Sequence, residues 1–156
     1  MAQQLWLLRH GEAEPHEAKE DADRRLTARG ERQSAAAGAA LARLGLEFSL
    51  ALTSPRVRAR ETARLACESL GVAPSVHEAL SEGFDRDEAR AIMKGQEADA
   101  RVLLVGHEPD FSQLVHDLTG ARADLKKGGV AAVRLGGGGG DLIVLLRPRE
   151  LETLAV

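Results

Sequence analysis

Leu5-Trp6-Leu7-Leu8-Arg9-His10-Gly11 is an apolar run that stops abruptly at an arginine, a histidine and a glycine. A short continuous apolar stretch bounded in this way reads as a strand buried on both faces of a sheet. Its polar end then lies at the carboxyl edge, where open α/β sheets gather their ligands. Arg9 brings a guanidinium that matches anion oxygens, and His10 brings an imidazole that can act as a nucleophile. The rest of the chain is read for the partners these two residues need.

Working outward, residues 3–9 form the first strand and residues 12–25 a charge-dense segment with Pro15 that reads as a solvated loop, partly helical at most, with a role as a lid or docking surface left open by its position beside the site. Thr27 caps a long helix that tolerates Gly30 in its first turn, carries Leu41 and Leu44 on one face and stops at Gly45. Residues 48–53 make a second strand. Ser54-Pro55 then offers a capping hydroxyl and a proline for the first helical position. Ala59, Ala63, Ala66 and Leu70 mark the buried face of that helix, and Gly71 ends it. Residues 74–77 predict a short strand, 79–85 an irregular stretch and 87–94 a modest helix. Residues 101–105 are a second strongly buried strand, after which Pro109 opens a helix with Phe111, Leu114, Val115 and Leu118 as its stripe and Gly120 as its stop. Residues 130–135 and 141–146 predict two strands joined by the glycines 136–140. That run lacks the Lys-Ser/Thr ending of a phosphate-binding loop and precedes no helix, so it reads as a hairpin connection. The tail from Pro148 predicts no element.

Strands alternating with helices predict an α/β fold: a three-layer α/β/α sandwich, its sheet mostly parallel with an antiparallel strand near the C-terminal hairpin. At 156 residues the chain is expected to be one domain, 1–156. Aromatic residues are 3% with no tyrosine and the net charge is -3, so neither base stacking nor a basic surplus supports nucleic-acid binding. Cys67 is the single cysteine, which removes an internal disulfide and makes a thiolate metal site a poor reading. No stretch has spanning length and no secretory leader is visible, so no membrane association and a cytoplasmic location are expected.

Two strand ends look alike: Leu8-Arg9-His10-Gly11 and Val105-Gly106-His107-Glu108. In a parallel sheet both reach the same rim, and Arg58 enters from a helix beginning there. Arg9, Arg58, His10 and His107 would together cage a tetrahedral dianion.

In these residues and their order the sequence resembles the histidine phosphatase superfamily (phosphoglycerate mutase-like), and within it the small SixA-like phosphohistidine phosphatases. The likeness is carried by Arg9-His10-Gly11-Glu12-Ala13, Arg24-Arg25-Leu26-Thr27-Ala28-Arg29-Gly30, Thr53-Ser54-Pro55-Arg56-Val57-Arg58-Ala59-Arg60-Glu61-Thr62 and Val105-Gly106-His107-Glu108-Pro109, in that order. It implies that His10 is the nucleophile that becomes transiently phosphorylated and that Arg9, Arg58 and His107 complete the phosphate pocket. Arg25 stands where many relatives have proline, a departure that touches the loop and not the pocket.

On that reading His10 must be neutral to attack, and the positive charges of Arg9 and Arg58 are expected to favour the neutral form. The guanidinium groups stabilise the equatorial oxygens, with no cofactor and no metal required. His10, Glu12 and His16 are discounted as metal ligands because they straddle a turn and a loop. Relatives that cleave alkyl phosphates use a carboxyl group as acid; here Glu82 is the candidate and Glu78 a weaker one. Without an acid, the substrate needs a leaving group that departs easily, such as the protonated imidazole of phosphohistidine. The expected partner is therefore a phosphohistidine-bearing protein. The alternatives are a small phosphorylated metabolite, cleaved with Glu82 as general acid, or a non-catalytic phosphate-binding interaction module. Lys126-Lys127 is either a basic turn or a contact for an acidic partner surface.

Overall fold

The computed structural model describes residues 2–156. β1 (Gln4–Arg9) is the central strand, and Leu5, Trp6, Leu7 and Leu8 are all buried along it. Alternation sends their side chains to opposite faces: Leu5 and Leu7 into one core, Trp6 and Leu8 into the other. A strand covered on both sides has no polar face to show, which is why β1 reads as an unbroken apolar run. Burying each such leucine side chain contributes roughly 1.5–3 kcal/mol.

The remaining elements are α1 (Ala28–Arg43), β2 (Leu50–Thr53), α2 (Val57–Leu70), β3 (Ser75–Val76), α3 (Arg86–Lys94), β4 (Arg101–Gly106), α4 (Asp110–Thr119), β5 (Val130–Gly136), β6 (Gly139–Leu146) and α5 (Pro148–Leu154). The sheet order is β3-β2-β4-β1-β5-β6. β1, β2, β3 and β4 run parallel, while β5 is antiparallel to β1 and β6 antiparallel to β5. The predicted three-layer α/β/α sandwich with a mostly parallel sheet is therefore what forms. One face is covered by α1, α2 and α5, whose Ala37, Leu41, Ala59, Ala63 and Leu151 meet Trp6, Leu8 and Leu103. The other is covered by α3 and α4, through Ala89, Met93, Phe111 and Leu114.

Three local outcomes differ from the sequence reading. The helix expected to start at Ser54-Pro55 begins two residues later, with Arg56 at its cap and no side-chain capping bond. The glycine connection is a two-residue turn, Gly137 (φ 57°) and Gly138 (φ 84°), so the flanking strands extend further than expected. The tail forms α5, whose Leu151 is fully buried against the α1 side of the core. Thr27 caps α1 as predicted, its hydroxyl accepting from Gly30 N at 3.1 Å.

The alanine-rich character of α1 has a packing cause. At Gly38 a methyl group would lie 2.2 Å from the Ala66 carbonyl oxygen, so α1 and α2 touch backbone to backbone. Gly38→Ala is expected to wedge them apart and destabilise the fold by about 1–3 kcal/mol, more than its gain in helix propensity returns. Chemical denaturation measures this, and an unchanged midpoint would contradict the close approach.

Candidate active site

The register of the sheet decides which residues meet. Arg9 is level with Gly106, and Thr53 with Val105, so β1, β2 and β4 end at one rim and release His10, Ser54 and His107 there. The backbone after β1 is fixed on several sides. His10 N donates to the Gly106 carbonyl, and Gly128 N donates to the carbonyls of Arg9 and His10. Gly11 N donates to the Thr62 hydroxyl on α2. A Cβ on Gly11 would meet the Gly30 carbonyl oxygen at 2.5 Å, which explains the glycine after the histidine: β1 leaves the sheet pressed against the first turn of α1.

The imidazoles of His10 and His107 lie 5.3 Å apart by ring centroids, and both are buried. Nδ1 of His10 is 2.7 Å from the Gly11 carbonyl oxygen. A carbonyl can only accept, so Nδ1 carries the hydrogen and Nε2 keeps its lone pair. Arg58 Nε donates toward that Nε2 at 3.4 Å. His107 Nε2 is 2.7 Å from the Ser54 hydroxyl. Among the described residues, the buried side-chain atoms without a partner in the protein include Arg9 Nε and His107 Nδ1. Unpaired buried polar groups are costly, and an oxyanion is the partner these two would accept. A cavity of about 200 Å³ is lined by Arg9, His10, His16, Arg24, Arg56, Arg58, His107, Glu108 and Lys127. All of the pocket residues expected from the sequence, Arg9, His10, Arg58 and His107, are brought together.

Burial holds the pKa of His10 down to about 3, with the charges of His107, Arg58 and Arg9 adding to it and the Gly11 carbonyl opposing. The sequence reading credited the two arginines with this effect; desolvation is the larger cause. His107 is likewise lowered to about 3, first by burial and then by Arg58 and Arg56. Both rings are neutral at pH 7 in the free protein. A dianion placed among them would reverse the local field and favour a proton on His107.

The 12–25 loop supplies a residue that the sequence reading missed. Asp21 lies in a short 3₁₀ turn, Asp21–Asp23, beside α2. Its carboxylate meets Arg24 at 2.9 Å, Arg56 at 2.7 Å and Arg58 at 3.2 Å, and its carbonyl oxygen accepts from Arg58 at 2.7 Å. Burial alone would raise the Asp21 pKa; the hydrogen bond from Arg24 and the charge of Arg58 outweigh it and leave it lowered. The loop is thereby drawn over the cavity and Arg58 is held in one orientation. Ser54 and Arg56 also belong to the site, although the sequence reading used them only to start a helix.

Glu82 is not brought to the cavity. It is exposed after the turn Glu78–Ser81, and its neighbour Ser81 is what meets Arg56, hydroxyl to Nε, at 3.2 Å. Glu78 does not line the cavity either. The carboxylate that does is Glu108, and both its oxygens are engaged by Ser112, one by the backbone N–H at 2.8 Å and the other by the hydroxyl. Among the described residues, no group of three His, Cys, Asp or Glu side chains comes together as metal ligands, His10, Glu12 and His16 included. Among the described residues no helix is long and apolar enough to cross a membrane. Cys67 is buried in the α2 core, where desolvation raises its thiol pKa to about 11.

A parallel strand end bearing Arg-His-Gly, joined by a second histidine and a helix arginine, defines a phosphoryl-handling site. Residues 5–100 match the model of the histidine phosphatase superfamily (branch 1). A protein of Picosynechococcus sp. (strain ATCC 27264 / PCC 7002 / PR-6), itself uncharacterised, is 38% identical over 141 residues, covering 85% of this chain and 86% of its own. Among solved structures, the protein histidine phosphatase SixA complexed with tungstate is similar at 26% identity and TM-score 0.85, covering 95% of this chain and 99% of that one. The α-ribazole phosphatase from Shigella flexneri shares the fold at 23% identity and TM-score 0.71, covering 93% and 96%. The chain belongs to the histidine phosphatase superfamily and is a phosphatase.

Proposed function

We propose that residues 1–156 act as one domain that hydrolyses phosphohistidine on a protein, by way of a phosphoryl group carried on His10. The observation that carries the reading is the lone pair on His10 Nε2, left there by the Nδ1 bond to the Gly11 carbonyl and met by the guanidinium of Arg58 at 3.4 Å. In the first step Nε2 attacks phosphorus, the bond from phosphorus to the substrate imidazole breaks, and that imidazole, already protonated on its other nitrogen, leaves as neutral imidazole. Arg9, Arg58 and a proton-bearing His107 hold the equatorial oxygens as charge develops on them. In the second step water attacks the phosphorus of phospho-His10, the bond from Nε2 to phosphorus breaks, inorganic phosphate departs carrying both protons of that water, and His10 is regenerated with its hydrogen on Nδ1.

The choice of phosphohistidine over alkyl phosphates rests on the leaving group. An alkoxide needs a proton in the transition state, and removing such an acid costs roughly 10²–10⁴ in rate. Glu82 is exposed and outside the cavity, and both oxygens of Glu108 are already engaged by Ser112. A protonated imidazole needs no acid. The small cavity, about 200 Å³, also suits a phosphoryl group presented on a side chain. Tungstate, which the similar SixA structure holds, is a tetrahedral oxyanion of the kind this cage would accept.

Turnover across phosphoryl donors of graded leaving-group pKa tests the proposal. Phosphohistidine is expected to react fastest, alkyl phosphates slower by orders of magnitude, and Glu82→Gln to change neither. A Glu82→Gln protein that fails selectively on alkyl phosphates would instead favour a phosphatase of small esters.

A further inference from the structure

Beside the phosphate cavity lies an open groove of about 520 Å³, and the two share Arg9 and Lys127 as walls. Its other cations are Arg29, Lys126, Arg147 and Arg149, against Glu12 as the one acidic side chain in its lining. Outside its lining, Asp124 pairs with Lys126 at 2.8 Å, and Glu150 pairs with Arg147 at 2.7 Å and reaches Arg149 at 4.0 Å. Even counting them, positive charge is in excess here, on a chain whose net charge is -3. Among the described residues neither Arg29 nor Lys127 has an acidic partner within 4.0 Å. Arg29 moreover stands in the first turn of α1, where the helix dipole disfavours a cation. The lysine turn is held in place by Gly128, whose N–H bonds the carbonyls of Arg9 and His10 and whose φ of 76° suits glycine. Nothing in folding asks for this concentration of like charge.

We propose that the groove binds acidic side chains flanking the phosphohistidine of a protein substrate. The proposal deepens the phosphatase reading and rests on it. Because Arg9 and Lys127 are common to both hollows, whatever presents a phosphoryl group to His10 has its adjoining part over the groove. Cations spread along an open wall match several carboxylates on a polypeptide better than a single second anion. Charges of this kind raise the rate of productive encounter and weaken with salt.

The test uses free phosphohistidine and two phosphohistidine peptides, one flanked by glutamates and the other by serines. The variant is Arg29→Glu combined with Lys126→Glu and Arg149→Glu, none of which lines the phosphate cavity. The wild-type protein is expected to prefer the acidic peptide by roughly 10- to 100-fold in kcat/KM at low salt, through KM, with the preference collapsing at high salt. The variant is expected to lose that preference while retaining its rate on the serine peptide and on free phosphohistidine. Equal wild-type rates on the two peptides, or a variant that loses both equally, would overturn the groove while leaving the phosphatase reading intact. So would inhibition by inorganic pyrophosphate with none by the unphosphorylated glutamate peptide, which would point to a small second phosphate. A wild-type protein that turns over none of the three substrates would remove the phosphatase reading and the groove with it.

Discussion

His10→Ala is expected to lower turnover by about 10⁴-fold or more and to abolish acid-labile phosphate on the protein during turnover. On the proposed mechanism the loss of His10 cannot be offset by the rest of the pocket, because Arg9, Arg58 and His107 would stabilise charge without forming a bond to phosphorus. The neutral state of His10 at pH 7 follows from its pKa near 3, so the wild-type ring is ready to attack without first losing a proton. The covalent intermediate is the sharper readout. Protein quenched in alkali during turnover of a labelled donor should carry label that is released on acid treatment, and the alanine variant should carry none. Near-wild-type turnover in the variant, or label persisting elsewhere, would remove His10 from the chemistry. The fold should survive, since the His10 side chain contacts its surroundings mainly through the Gly11 carbonyl and Arg58, and circular dichroism of the variant checks this.

What the sequence makes legible is what repeats locally or ends abruptly. β1 and β4 announce themselves because both faces are buried, and the parallel register then forces Arg9-His10 and His107 onto one rim. The position of Arg58 follows from the start of α2, even though that start is displaced. The displacement has a reason: the Ser54 hydroxyl accepts from Arg56 N at 3.2 Å and also meets His107, so it serves the pocket instead of capping the helix. α5 escaped notice because it buries little beyond Leu151, too few positions for a period; Pro148 at its first turn and the Glu150 bond to Arg147 N were the available signal. Asp21 could not be read at all. Its partners Arg56 and Arg58 lie 35 and 37 residues away, and a charge-dense loop carries no periodicity that would pair them. Glu82 was named by analogy of position, and the backbone after Leu80, which is buried, turns it out to solvent.

The guanidinium of Arg58 offers the strictest test of geometry against charge. Arg58→Lys keeps a cation at the rim, yet kcat/KM is expected to fall roughly 10²- to 10³-fold. Arginine here addresses three groups at once from a planar fork: one terminal nitrogen to the Asp21 carbonyl oxygen at 2.7 Å, the other to the Asp21 carboxylate at 3.2 Å, and Nε toward His10 Nε2 at 3.4 Å. A lysine ammonium is a single point with no planar fork, so it cannot span Asp21 and the nucleophile together. On the proposed mechanism an entering phosphoryl group would compete with Asp21 for the same fork, and a guanidinium has two parallel donors to offer it where a lysine has none in that geometry. Asp21 retains Arg24 and Arg56 in the variant, so the 12–25 loop stays closed and thermal stability should change little. The loss should therefore fall on kcat, with Arg58→Ala lower still. If Arg58→Lys kept nearly full activity, positive charge alone would suffice at this position, and the fork would have no part in holding the transferring phosphoryl group.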